Sequence, residues 1–320
     1  MPLSSSPIAP RPVMTVQGPV PYEQLGITDV HNHVWIEPVP GVATGSPVLD
    51  QYDLILKELF EYRQQGGGTI LDCQPGGCGR NGSMLLKLSK AAKVNILACT
   101  GFHRKKYYPP DYWLWDTSAE KISEFLCADL EHGLVETLDT PYAVRAGFIK
   151  IALESSWAES PQAALEGTAL AAYKTNALLE IHTEKGSLAE KACIYFTDRG
   201  LQPHQLVLCH MDKRPDFGLH QALASFGVLL EYDTFYRPKY SPATRLWPLI
   251  EQMVGAGHSG QIALATDMAE SALYHHLGGG PGLASLPGEI QDTLRHKGFP
   301  ADVISQMLGG NIARRLAGIH

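Results

Sequence analysis

Apolar runs of strand length recur along the chain at 25–30, 68–73, 95–102, 147–153, 177–183, 206–211, 228–233 and 262–267. Segments with the composition of helices separate most of them, at 54–65, 84–93, 118–136, 163–174, 187–199 and 243–256. Runs such as TILDC, NILACTG, FIKIAL and LVLCH are continuously apolar rather than alternating. That is the pattern of strands covered on both faces, and so of a parallel sheet. Repeats of this kind over roughly 250 residues close most simply as an α/β protein of the (β/α)8 barrel type, because an open sheet of that length exposes two edges.

No shift in composition marks a linker between 21 and 320, so the barrel is expected to fill 21–320 as one domain behind a Ser/Pro-rich N-terminal extension, 1–20. The triplets Gly66-Gly67-Gly68 and Gly278-Gly279-Gly280 fall at element junctions, where positive φ or close backbone approach is expected. Acidic residues outnumber basic ones, 33 against 26, for a net charge of −7. This leaves no electrostatic footprint for nucleic acid or anionic lipid, and makes a small molecule the expected partner. Residues 1–20 lack the basic and apolar regions of a secretory leader, and no stretch reaches about 18 uninterrupted apolar residues, so a soluble, cytoplasmic protein is expected. Six cysteines without a C-x-x-C pair are too few for a disulfide scaffold.

The informative polar residues stand at the carboxyl ends of the expected strands, the face where barrel enzymes build their sites. The first run leads into His31-Asn32-His33, whose imidazoles, two residues apart, project from one face of an extended strand. The fourth run carries Lys150, the fifth ends with His182, the sixth with His210 and the eighth with Asp267. Lys150 lies in Gly147-Phe148-Ile149-Lys150-Ile151-Ala152-Leu153 without a charged neighbour. A buried ammonium is costly. Either this side chain snorkels past the strand end, or the amine is neutral and takes up carbon dioxide as a carbamate, an anionic oxygen ligand. Asp267 has two readings as well, a metal ligand or the N-cap of a following helix. Four imidazoles, a carboxylate and a carbamate exceed the needs of one tetrahedral ion and suit two divalent metals. Zinc is the first expectation, with manganese, iron and cobalt accepting similar ligands. In such a centre a bridging hydroxide attacks, the metals polarise the scissile carbonyl or phosphoryl group, and a carboxylate moves the proton.

Further motifs surround these residues: Gly18-Pro19-Val20 and Leu25-Gly26-Ile27-Thr28 before the histidine pair, Ala98-Cys99-Thr100-Gly101-Phe102, Arg145-Ala146-Gly147-Phe148-Ile149-Lys150, Gly278-Gly279-Gly280-Pro281-Gly282 and Gly310-Asn311-Ile312-Ala313-Arg314. With them the chain resembles, from about Val16 to Ala317, the phosphotriesterase-related branch of the amidohydrolase superfamily. The resemblance implies that His31, His33 and Asp267 bind the more buried metal, that His182 and His210 bind the more exposed one, and that Lys150 bridges both as an N6-carboxylated lysine. It also gives Asp267 the catalytic task of orienting or deprotonating the bridging hydroxide. Asn32 stands where the family usually has glutamate, on the strand face away from the imidazoles. Members of this branch hydrolyse lactones, phosphotriesters and some amides with the same ligands.

The loops carry the substrate candidates. The loop 103–115 is basic and aromatic, contains Arg104 and Tyr107, and reads as a lid over substrate or as a surface loop packed on the barrel. After the seventh run, Arg237, Lys239 and Tyr240 suit a carboxylate, phosphate or sulfonate, or else form a solvated loop. This chain resembles sugar lactonases for phosphorylated substrates in that loop. Those relatives carry a cation just after the strand-eight aspartate, where this chain has Glu270, which argues against a phosphate. Glu270 then suits a cation or hydroxyl of the substrate, or caps a helix. Tyr274 and Arg80 are further candidates for the rim, and His275 and His276 belong either to the pocket or to the surface. The leading expectation is a lactonase or carboxylic ester hydrolase acting on a small anionic substrate. An N-acyl amide hydrolase or a phosphoester hydrolase with the same centre is the alternative, a non-catalytic metal-stabilised binding protein comes third, and a homodimer is the candidate assembly.

Overall fold

The computed structural model describes residues 10–42 and 45–319. An antiparallel hairpin of β1 (Val13–Thr15) and β2 (Gly18–Val20) precedes eight parallel strands. These are β3 (Ile27–Asn32), β4 (Gly67–Asp72), β5 (Asn95–Gly101), β6 (Phe148–Ala152), β7 (Leu179–His182), β8 (Leu206–Cys209), β9 (Leu229–Tyr232) and β10 (Ile262–Leu264), and they neighbour one another in chain order. The barrel closes at the seam between β10 and β3. There the Asp267 N–H donates to the His31 carbonyl (3.0 Å), and the buried Asp29 carboxylate accepts from the Thr266 N–H (3.2 Å) and hydroxyl (2.5 Å).

Seven helices follow β3 to β9 in turn: α1 (Tyr52–Gln64), α2 (Gly82–Ala92), α3 (Ala119–Glu131), α4 (Gln162–Thr175), α5 (Ala189–Thr197), α6 (Phe217–Phe226) and α7 (Leu246–Gly255). The short helices α8 (Gln291–His296), α9 (Ala301–Ser305) and α10 (Asn311–Leu316) end the chain. Side chains start three of the seven, as Asn81 accepts from the Met84 N–H, Ser118 from the Lys121 N–H and Asp216 from the Leu219 N–H. Helix α3 is shorter than the expected 118–136; it stops before Gly133, and Glu136 falls in a separate turn, Val135–Thr137. The Gly66-Gly67-Gly68 junction has its reason in packing, since a Cβ on Gly68 would lie 2.3 Å from the Leu25 carbonyl oxygen.

Inside the barrel, apolar residues such as Leu97, Phe148, Val207, Leu229 and Ala263 fill the lower half. Two residues further along β6 and β9, at the same parity, come Lys150 and Glu231, which start a polar upper half. Val13 and helix α10 residues Ile312 and Leu316 plug the amino end, where the Val16 N–H donates to the Ile96 carbonyl (2.8 Å) and the Arg11 N–H to the Ala317 carbonyl (3.0 Å). The later part of the expected N-terminal extension is thus the floor of the barrel, while 1–9 lie outside the described residues. Among the described residues no helix is long and apolar enough to cross a membrane.

Candidate metal centre

At the carboxyl end of the barrel, His31 Nε2 and His33 Nε2 each lie 3.8 Å from Asp267 Oδ1. Two ligands with bonds of about 2.1 Å to one ion stand this far apart when they meet it at an obtuse angle. The His210 ring is 4.8 Å from that of His31 and 4.5 Å from that of His182, with His210 Nε2 and His182 Nδ1 2.8 Å apart. Donor atoms of His31, His210 and Asp267 fall within 4.8 Å of one another. Lys150 is wholly buried beside them, paired in register with Glu180, and its Nζ has no hydrogen-bond partner. Buried polar atoms are nearly always partnered, so an orphaned Nζ among ligand-type side chains demands an explanation.

The outward nitrogen of each imidazole meets an oxygen. His31 Nδ1 lies 3.2 Å from Glu231 Oε2, His33 Nδ1 2.7 Å from Gln74 Oε1, His210 Nδ1 2.5 Å from Asp233 Oδ2 and His182 Nε2 3.3 Å from Glu184 Oε1. Such partners hold the proton on the outer nitrogen and turn the lone pair inward. Burial, reinforced by neighbouring cations, pushes His31 and His210 well below the usual imidazole range, His33 down to about 4, and His182 lower than usual. All four are therefore neutral near pH 7, the form that binds metal. For Asp267 burial acts upward, but the charges around it, Lys213 and Arg237 among them, outweigh it and hold the carboxylate below its usual range. Beneath the imidazoles burial raises Glu180 to about 8, and burial with nearby Asp233 raises Glu231 well above the carboxylate range.

The backbone turns sharply at two of these positions. The runs expected to extend to Met211 and Asp267 leave the sheet at Cys209 and Leu264, and beyond those ends His210 (φ +62°) and Asp267 (φ +46°) take left-handed conformations. Non-glycine residues pay roughly 1–3 kcal/mol for this, and such strain concentrates at functional sites. Asn32 faces away from the imidazoles as expected. Its amide donates to Asp29 (2.8 Å) and Thr266 (2.7 Å), stitching the seam under the histidine pair.

A cavity of about 420 Å³ opens above the centre, and Tyr107, Arg237, Lys239, Tyr240 and Glu270 line it together with His31, His33, His182 and Asp267. Arg237 donates to the Asp267 carbonyl (2.6 Å) and lies 3.5 Å from Glu270. Three expectations for the rim are corrected. Arg104 does not line the cavity, because Glu154 (3.0 Å) and Glu184 (2.8 Å) hold its guanidinium. Tyr274 is fully buried and donates its hydroxyl to the His33 carbonyl, supporting the histidine pair from outside the cavity. Arg80 is buried in an ion pair with Glu136 and Asp129. His275 and His276 sit apart from the cavity, beside Glu61. The loop 103–115 is packed on the barrel by its own rings, with Tyr108 buried 4.6 Å from Tyr112 and 5.1 Å from Trp115.

The phosphotriesterase family profile matches residues 11–316. The chain belongs to the phosphotriesterase family. A phospho-furanose lactonase of Mycoplasmopsis synoviae is 28% identical over 95% of this chain and 91% of its own length. Among solved structures, a lactonase from Listeria monocytogenes superposes with a TM-score of 0.86 at 25% identity, covering 95% of this chain and 98% of that one. An amidohydrolase from Mycoplasma synoviae superposes at 0.88 with 28% identity, covering 97% and 93%.

Several residues of this phosphotriesterase-family site escaped the reading of the sequence. Lys213, 3.8 Å from Asp267 Oδ2, and His103, packed 4.5 Å from the Tyr107 ring, both line the cavity. Glu180, Glu231, Asp233, Gln74 and Glu184 form the layer around the imidazoles. Two of them had a signal: Glu180 and Glu231 interrupt the apolar runs LLEIH and LLEYD, and Glu180 shares the parity of His182.

Proposed function

We propose that the chain is a metal-dependent lactonase that opens the ring ester of a small anionic lactone at a binuclear divalent-metal centre. The observation that carries the reading is the buried Lys150 Nζ, without a hydrogen-bond partner, among four neutral imidazoles and an ionised Asp267. That donor set fits two ions. His31, His33 and Asp267 would hold one, His182 through Nδ1 and His210 through Nε2 the other, and Lys150 as its carbamate both. Zinc is the first choice for a set so rich in imidazole. When bound, the ions polarise the ester carbonyl and raise the acidity of water at the centre.

The remaining work falls to side chains. Asp267, kept ionised beside Lys213 and Arg237, accepts the proton of the attacking water and returns it to the departing ring oxygen. Lys213 and Lys239 on the cavity wall favour an anionic substrate and the carboxylate that ring opening creates. Relatives named as lactonases, alike over nearly the whole chain, support the ester over an amide or a phosphotriester. The test is a substrate panel on zinc-loaded protein: γ- and δ-lactones with and without an anionic substituent, N-acyl amino acids and an aryl phosphotriester. Lactones should turn over at least tenfold faster than the others. Absence of lactone turnover from protein carrying two metals, with an amide or phosphotriester hydrolysed instead, overturns the reading.

A further inference from the structure

Helix α1 carries Glu58 and Glu61 one turn apart, and the segment after β10 lays His275 and His276 over that turn. Glu58 is fully buried and clamps this segment by accepting the backbone N–H of His276 (2.5 Å) and of Leu283 (3.1 Å). Gly282 (φ +86°) permits the approach, since a Cβ there would stand 2.8 Å from Glu58 Oε2 and 3.0 Å from His275 Cβ. Backbone bonds to Glu58 thus fix the segment that carries the two imidazoles. His276 Nε2 is buried and lies 2.8 Å from Glu61 Oε1. His275 Nδ1 stands 3.4 Å from the other oxygen, Oε2, and the three ligand atoms all fall within 4.8 Å of one another. Two imidazole nitrogens and the two oxygens of one carboxylate thus converge at a spacing that a single ion can bridge.

We propose that Glu61, His275 and His276 form an additional site for a divalent transition-metal ion, separate from the barrel centre. Two imidazoles and a carboxylate, with water in the fourth position, are a recurrent tetrahedral zinc set. None of the three lines the cavity, so the ion is structural. It pins the segment after β10 to helix α1, and that segment carries Tyr274, whose hydroxyl supports the His33 carbonyl. The metal is a clip on the outside of the wall whose inner face holds the histidine pair.

The experiment is a metal count on tag-free protein equilibrated with zinc and freed of excess, comparing wild type with Glu61→Gln and with the double variant His275→Ala/His276→Ala. Wild type should hold one zinc ion per chain more than either variant, whatever the occupancy of the barrel centre. Added zinc should also raise the melting temperature of wild type above that of either variant, while turnover stays within about twofold. Equal metal counts in wild type and both variants overturn the site.

Discussion

Arg80 and Lys150 are both basic side chains buried in the barrel, and their surroundings differ in kind. Arg80 is met on all three of its nitrogens: Nε and Nη2 reach the two Glu136 oxygens at 2.7 and 2.8 Å, and Nη1 reaches the Cys99 carbonyl at 2.7 Å and Asp129 at 3.2 Å. The Thr100 hydroxyl completes that cluster on Asp129 at 2.8 Å. Around Lys150 the opposite holds, since its Nζ, Glu180 Oε1, Glu231 Oε1 and Asp233 Oδ1 are all buried without a hydrogen-bond partner. Both clusters bear the cost of desolvation, and only the first recovers it within the fold. A satisfied buried charge is architecture, whereas an unsatisfied one marks where something else binds.

Two substitutions test this contrast at its strongest. Lys150→Met should lower turnover by at least about 10³-fold and reduce the metal count. The urea midpoint of the metal-free protein should nevertheless hold or rise, because a buried polar atom without a partner has been removed. Arg80→Met should do the reverse. It leaves Glu136 and Asp129 facing each other without a cation, at a cost of about 3–5 kcal/mol in unfolding free energy, while the folded fraction keeps its KM. Equal destabilisation by the two changes would erase the distinction between the clusters.

The same contrast explains what was legible in the sequence. The barrel was legible because each buried strand is a continuous apolar run, and His31, His33, Lys150, His182, His210 and Asp267 were legible because strand ends in such a fold share one face. Charge in a loop is visible in a sequence, but its partner is not. Arg80 and Arg104 read as rim cations since Glu136, Glu154 and Glu184, tens of residues away, gave no sign of folding back on them. Lys213 escaped for the converse reason. It follows His210, whose left-handed turn swings the chain across the barrel mouth, and no periodicity announces a positive φ at a histidine.

His220 offers a smaller test on the satisfied side of the comparison. Its Nε2 donates to the Arg214 carbonyl (2.9 Å) and its Nδ1 accepts from the Tyr232 hydroxyl (2.7 Å), so the buried ring is neutral and complete. Burial holds it down at about 4, against an ordinary value of 6.5. Between those values the unfolded chain binds the extra proton, so the stabilisation is full above pH 6.5 and is lost as pH falls toward 4. It amounts to roughly 3 kcal/mol at most. Urea unfolding at pH 7 and pH 4.5 should show wild type losing more stability than His220→Gln, by about that amount. Identical losses would mean that the ring is already charged in the folded protein.

The smallest effect lies at the rim, where Glu270 is 62% exposed and stands 3.5 Å from Arg237. An ion pair this open contributes about 0–1 kcal/mol, so Glu270→Gln should leave stability unchanged. Its consequence lies in binding instead. With Glu270 neutral, the Arg237 guanidinium keeps its bond to the Asp267 carbonyl but loses the carboxylate that competes for its outer face. KM for an anionic lactone should fall about threefold with kcat unchanged, and KM for a neutral lactone should not move. Because the pair faces solvent, the difference should shrink as ionic strength rises past about 0.15 M. A fall in kcat would instead tie Glu270, through Arg237, to the ionisation of Asp267, and would move the boundary between rim and centre inward by one residue.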